Sequence, residues 1–356
     1  MFKPALLFSL LLGSAALAAQ EPSFDSLRAD GRWKQLRPRI EGWYHTKPQD
    51  PYALLWMSRL KLAFGDSQAA LEFARKAVAL KSMDPEFQTQ QGVAARAVLE
   101  ETDSVVKMLP YAKEWRKSLE TALAVNPTSE EATESLFWFF QRAPSMGGGS
   151  KSKAKELAQR LTNIKPTAGL VLQAWVACDA KDFEGAKRLL DQAITTDPRG
   201  LDAYRLMVTL HLGQKPQALD AAAATCRKAL AANPRAINAS ANLAAILAEQ
   251  GKWGELEATL TQAKQHCPEN LLPYFYVAYE LLSEKQLDKV EPYLRTYLSQ
   301  DPEGFAPGRA RAHALLGQLF EKQGRRLEAI KAYEQAVSLR PTFASAKKEL
   351  ERLKKG

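Results

Sequence analysis

One short phrase of small and large apolar positions keeps returning along the chain. It runs alanine, an aromatic or leucine four residues on, a small or apolar residue three beyond that, and a proline five later. In Ala329-Ile330-Lys331-Ala332-Tyr333-Glu334-Gln335-Ala336, which precedes Pro341, the alanines and Tyr333 share one face of a helix and the charged residues lie on the rest. The phrase returns over Ala186 to Ala193 before Pro198 and over Ala222 to Ala229 before Pro234, with near-copies ending at Pro127, Pro166, Pro268 and Pro302. No segment alternates apolar and polar residues with the period of a strand. Each phrase predicts a helix, closed by a proline that cannot continue it. The pattern as a whole predicts an all-α chain.

The seven prolines stand 39, 32, 36, 34, 34 and 39 residues apart. Glycines keep a second register: Gly324, Gly251 and Gly31 each lie 17 residues before a proline (Pro341, Pro268 and Pro48). Residues 51–84 add a unit with Gly65 at its turn and Ala70, Ala74 and Ala77 in its second helix, Ser82 standing in for the proline. The segment 85–127 is stretched, and its prolines predict a first helix from Pro85 to Leu109 that Pro110 ends. This pattern resembles the tetratricopeptide repeat family, whose period is roughly 34 residues. In the last unit Leu316-Gly317 and Phe320 fall where the family has Leu-Gly and Tyr in helix A, and Ala329, Tyr333, Ala336 and Pro341 complete helix B; His313 replaces the usual tryptophan. The resemblance implies a right-handed α-solenoid of antiparallel helix pairs, strongest in the C-terminal half and degenerate over 20–127.

The physics agrees with that expectation. Small positions such as Gly317, Ala244, Ala329 and Ala336 let paired helices approach, and Leu316, Phe320 and Tyr333 fill the space beside them. A glycine between helices accepts a left-handed conformation at no steric cost. No single pair can bury its apolar side, so neighbours must stack, and the end of the stack needs a polar cap. The expected partition is a leader over 1–19, degenerate repeats over 20–127, an array over 128–343 and a capping helix over 344–356. From Glu321 to Gly356 there are 10 Lys or Arg against 5 Glu. That excess reads as a solvated terminal helix, or else as a docking patch for an acidic partner.

Composition narrows the class. Of 356 residues 46% are hydrophobic and 25% charged, enough apolar side chain to exclude wholesale disorder. Residues 1–19 read as a secretory signal peptide: Lys3, then the uncharged run Ala5–Ala19, then the small-x-small site Ala16-Leu17-Ala18. The run spans 15 residues, short of the roughly 20 that cross a bilayer; an uncleaved anchor helix is the alternative. With no cysteine beside the site, no lipid attachment is expected. The mature chain is expected in a periplasm or outside the cell, with no integral membrane segment. Export argues against a nucleic-acid partner despite the net charge of +9. The three cysteines, Cys178, Cys226 and Cys267, are an odd number and form no Cys-x-x-Cys, so they read as small buried hydrophobes.

Two segments break the period. Between Phe140 and Ala154 the turn is about five residues too long for the repeat, reading Ala143-Pro144-Ser145-Met146-Gly147-Gly148-Gly149-Ser150-Lys151. It lacks the first glycine of a phosphate-binding loop and no strand precedes it, so Ser150 reads as an N-cap for the helix from Lys151. The remaining expectations for Gly147–Gly149 are a flexible turn, a flap over the groove or an anion cradle of backbone N–H groups. The second segment, Glu303 to Arg309, reads as a spacer that re-aims the last unit.

Catalytic chemistry is not encoded. His45, His211, His266 and His313 have no ligand at metal spacing, and neither a nucleophile elbow nor GxGxxG occurs. We therefore expect no enzyme and no cofactor. By the family resemblance helix A lines the concave surface. Its groove positions carry Glu131, Glu134, Trp138, Gln141 and Arg142 in one unit, and Ala168, Val171, Trp175, Cys178 and Asp179 in the next. Later units contribute Arg205 and Thr209, then Asn238, then Leu272, Phe275 and Tyr279. Trp138 and Trp175 hold the same position in successive units and Tyr279 holds it again. A frame displaced by one residue would put these rings in the core instead. In the groove frame Trp138, Trp175, Phe275 and Tyr279 form an apolar floor, with Gln141, Arg142, Arg205 and Asn238 as polar anchors. The expectation is a scaffold that grips a peptide or protein segment. A carrier of a small hydrophobic or acidic ligand in an enclosed groove is the alternative, and a homo-oligomeric spacer a third reading.

Overall fold

The computed structural model describes residues 22–102, 104–214 and 218–355, so the expected leader lies outside the described residues. A short α1 (Phe24–Ala29) leads into α2 (Trp33–Thr46). Antiparallel pairs follow: α3 (Pro51–Ala63) with α4 (Ser67–Leu80), α5 (Pro85–Glu100) with α6 (Val105–Val125), and α7 (Glu130–Arg142) with α8 (Lys151–Ile164). Next come α9 (Pro166–Asp179) with α10 (Phe183–Thr196), α11 (Leu201–Leu212) with α12 (Leu219–Ala232), and α13 (Ile237–Glu249) with α14 (Trp253–His266). The series ends with α15 (Leu272–Ser283) and α16 (Leu287–Leu298), α17 (Arg309–Lys322) and α18 (Arg326–Leu339), and the cap α19 (Ala344–Lys355). Among the described residues there is no strand, and no helix is long and apolar enough to cross a membrane.

Each helix packs on the next in the chain, and the first helices of neighbouring units also touch, α3 on α5, α5 on α7, α9 on α11, α13 on α15 and α15 on α17. The fold is thus an all-α solenoid. The small positions are required by these contacts: a Cβ at Gly317 would lie 2.8 Å from the ring of Tyr333, which is itself 2% exposed. Gly31, Gly65, Gly251 and Gly324 turn the chain between helices at φ of 67 to 78°. Lys181 and Lys285 make the same left-handed turn without the freedom of glycine, at φ 62 and 60°.

One expectation is corrected here. Pro110 does not end a helix; α5 stops at Glu100, and Pro110 is the sixth residue of α6. Pro38 in α2 and Pro292 in α16 occupy the same sixth position. So close to a helix start most N–H groups have no helical partner anyway, and the proline removes a single backbone bond.

The Glu303–Arg309 segment does more than re-aim a unit. It crosses to the first units and fastens the two ends of the solenoid together. The Phe305 N–H donates to the carbonyl of Ala63 at 2.6 Å, and its ring meets Trp33 edge to face at 5.6 Å. The Lys34 N–H donates to Glu303 Oε1 at 2.6 Å. Lys34 Nζ donates to the carbonyls of Glu269 and Asp301. Gly304 lies so close to Trp33 that a Cβ there would stand 2.5 Å from the indole. Further along, Arg340 pairs with Glu101 at 3.1 Å. The curved trough expected from the repeat is a closed ring.

Candidate functional site

The Glu303–Arg309 segment borders a half-open central cleft of about 660 Å³. First helices of the units supply its wall, through Arg59 of α3, Glu131 of α7, Arg205 of α11 and Asn238 of α13, and Glu303 to Ala306 form the opposite side. Arg59 is 6% exposed; it donates to Glu86 Oε1 at 2.8 Å and packs on Trp56. Glu303 is 2% exposed, and burial raises its pKa although the N–H groups of Gly304 and Lys34 and the Lys34 charge oppose this.

A second, smaller cavity of about 110 Å³ lies on the same face between α7, α9 and α11. Its floor is the pair Trp138 and Trp175, edge to face with ring centroids 5.3 Å apart. Both rings are half-buried. Position 138 of α7 and position 175 of α9 meet across the two units, α7 capped by Ser129 and α9 opened by Pro166. Glu134, one turn before Trp138, shares the cavity with that indole. Burial raises the Glu134 pKa; the charges of Asp202 and Glu130 push the same way, and the Trp138 indole and Arg205 oppose them.

The structure divides the expected site residues into three groups. Trp138, Trp175 and Arg205 line the small cavity, Arg205 paired to Asp202 at 2.9 Å. Arg142 lies outside it, its guanidinium carbon 4.7 Å from the Trp138 ring centroid, while Gln141 offers its carbonyl to Lys151 Nζ at 2.8 Å. Asn238 and Arg205 line the central cleft. Tyr279 is exposed on α15, apart from both. Phe275 is the correction: it is 5% exposed and packs on Tyr297 at 5.2 Å in the core. Asn270 Oδ1 accepts from the Leu272 N–H and sets where α15 begins. From that start Phe275 turns toward α16 rather than into the groove. The expected carrier cavity lined by Trp138, Trp175 and Phe275 together is therefore not formed.

The Gly147–Gly149 turn is also settled by its bonds. The N–H groups of Gly147 and Gly149 donate to the Pro144 carbonyl, that of Gly148 to Ser145 and that of Ser150 to Phe140. None is left to cradle an anion. The turn lies against α6, where Met146 and Gly147 face Lys113 and Arg116, and not across the groove. Ser150 Oγ caps α8 by accepting from the Lys153 N–H.

The three cysteines are free thiols. Burial raises all three pKa values, Cys226 to about 12, which removes thiolate chemistry at neutral pH. The residues missed by sequence reasoning are Trp33, Lys34, Arg59, Glu303 and Phe305. The 39-residue spacing before Pro341 signalled an insertion there but held no information about what it touches.

Models of the tetratricopeptide repeat match residues 171–237 and 310–343. No curated protein matches the sequence. Among solved structures, yeast Tom70 superposes with a TM-score of 0.51 at 15% identity, over 93% of this chain and 86% of that one. A thermophilic TPR protein from Thermus thermophilus gives 0.47 at 20% identity, over 52% and 94%. A tetratricopeptide repeat protein from Parabacteroides merdae gives 0.43 at 14%, over 85% and 98%. At such identities the Tom70 likeness speaks for the fold alone.

Proposed function

We propose that the chain, which matches models of the tetratricopeptide repeat over residues 171–237 and 310–343, is an extracytoplasmic scaffold holding a peptide or protein segment of an exported partner along its inner face. Proteins of this repeat family act as interaction scaffolds and are generally not enzymes. The observation that carries the reading is the Trp138–Trp175 pair. Two large rings stand half-exposed on the inner face, in line with Arg205 and Asn238. Half-buried tryptophans combine apolar area with a polar edge and little conformational entropy to lose, the make-up of a binding anchor. The export of the partner follows from the leader over residues 1–19.

A second reading has its own support. A cleft of about 660 Å³ falls within the roughly 300–1,000 Å³ of small-molecule sites, and Glu303–Ala306 form one of its sides. One experiment separates the two. The full chain and a Trp138→Ala, Trp175→Ala double variant, matched by circular dichroism, are used to capture material from envelope extracts. Loss of a protein partner with the double variant supports the scaffold. Identical partners would remove it, and co-purification of a small molecule without protein would put the carrier in its place.

A further inference from the structure

The small cavity has a charge imbalance that the family pattern does not explain. Four carboxylates, Glu130, Glu134, Asp197 and Asp202, line it against two cations, Lys165 and Arg205. Both cations are already engaged: Lys165 Nζ lies 2.7 Å from Glu130 and Arg205 Nη2 lies 2.9 Å from Asp202. Asp197 accepts from the Arg199 N–H, and Glu134 forms no ion pair among the described residues, with Arg205 the cation that acts on it. The chain as a whole carries +9, so this is a local reversal of sign. It coincides with the place where the indoles of Trp138 and Trp175 meet.

We infer that the cavity between α7, α9 and α11 is a cage for a basic side chain, an arginine of the bound segment, seated on Trp138 and Trp175 with its charge against Glu134. Three features agree. The volume of about 110 Å³ is far below that of a whole-ligand site, roughly 300 Å³ or more, and suits one side-chain head. Indole faces attract cations, Trp most strongly, and a planar guanidinium stacks as well as pairs. The protein already makes such contacts, with Arg59 over Trp56, Arg96 over Trp115 and Arg142 over Trp138 itself. A carboxylate held in a partly buried, net acidic site lacks a counter-charge, and a guanidinium supplies it together with donors that carboxylates accept. The sequence offered Arg142 and Arg205 as polar anchors, with a small hydrophobic or acidic ligand as the alternative occupant. The geometry reverses that sign at this subsite, since Arg205 is held by Asp202 and Arg142 stands outside.

The inference rests on the scaffold reading only for what carries the arginine, and its test does not need the partner. Arginine amide is titrated into the full chain while the tryptophan indole N–H resonances are followed by NMR, with norleucine amide as the uncharged control. Saturable shifts of two indole signals are expected with arginine amide and none with norleucine amide. Glu134→Gln, which removes the charge and keeps the size of the side chain, weakens the arginine response about tenfold. In the parent chain the response fades as pH falls through the raised Glu134 pKa, with Glu130, Asp197, Asp202, Lys165 and Arg205 as the other charges around it; in Glu134→Gln that fading is lost. Equal shifts with norleucine amide, no saturation with arginine amide, or an unaltered Glu134→Gln variant would each overturn the cage. Arginine amide binding alongside failed partner capture would remove the scaffold and leave the cage standing.

Discussion

The turn over residues 143–150 and the segment over 303–308 both interrupt a repeat, and the two behave in opposite ways. The first carries three glycines and closes on itself, donating its N–H groups to carbonyls a few residues away. Its most apolar residue, Met146, is fully exposed. The second has one close-packed glycine and a phenylalanine at φ +63° whose N–H is exported to Ala63. It shapes the whole molecule, because it turns an open superhelix into a ring. Insertion length and glycine content therefore say little about what an insertion does. The fate of its backbone donors says much more.

A single methyl group added to each segment should affect the two very differently. In Gly304→Ala the new Cβ would stand 2.5 Å from the Trp33 side chain, at its root rather than at a flexible tip. The clasp must lift, and we expect a loss of about 2–3 kcal/mol together with a larger radius of gyration by small-angle scattering. In Gly147→Ala the nearest atom is Pro144 Cγ at 3.5 Å, an ordinary contact. That variant should stay within about 0.5 kcal/mol of the parent chain at unchanged radius. Equal responses would mean the ring is not held by the clasp.

The helical phrase made the paired helices legible, and the Gly31, Gly65, Gly251 and Gly324 turns follow directly from it. So does the Ser150 cap. Trp138 and Trp175 could be placed together because they share a position in successive units. The clasp could not be read, since Lys34 and Glu303 are 269 residues apart and a repeat describes only neighbours. Phe275 was misplaced because its direction depends on where Asn270 starts α15, a local choice the period does not fix. Lys181 and Lys285 were invisible as turns because only glycine advertises a left-handed backbone.

Acidity offers a second, smaller probe of the same asymmetry. Glu303 is buried in the clasp, whereas the 143–150 turn contains no ionisable group. The folded-state pKa of Glu303 is raised, so its contribution to stability is complete below the ordinary glutamate pKa and is lost as pH rises through the folded value. Lys34 and Glu269 are the charges that face it. Glu303→Gln, which removes the charge and keeps an acceptor for the Lys34 and Gly304 N–H groups, should thus be at least as stable as the parent at pH 7. Its advantage in chemical denaturation should shrink as pH falls toward 4.5. A constant difference across that range would show that Glu303 titrates alike in the folded and unfolded chains, so that burial in the clasp does not raise its pKa.

The mildest test concerns backbone strain alone, and it should change sign between the two segments. Phe305 holds a left-handed φ of +63° and is 69% exposed, so its ring contributes mainly the Trp33 edge contact. Such a contact is worth about 0.5–1.5 kcal/mol. A left-handed non-glycine residue costs roughly 1–2 kcal/mol. Phe305→Ala loses the ring and keeps the strain; Phe305→Gly loses the ring and relieves it. The glycine variant should therefore be the more stable of the two by about 1 kcal/mol. Gly148, at φ +90°, stands in the opposite situation, already relaxed. Gly148→Ala should cost about 1 kcal/mol, because Arg116 Nη1, the nearest atom to a new Cβ, is a flexible tip that can move away while the backbone cannot. Thermal melts of these three variants measure strain without altering the ring. If alanine and glycine at 305 melt alike, the clasp holds Phe305 loosely enough for the backbone to relax, and its hold on the ring must come from Glu303 and Gly304.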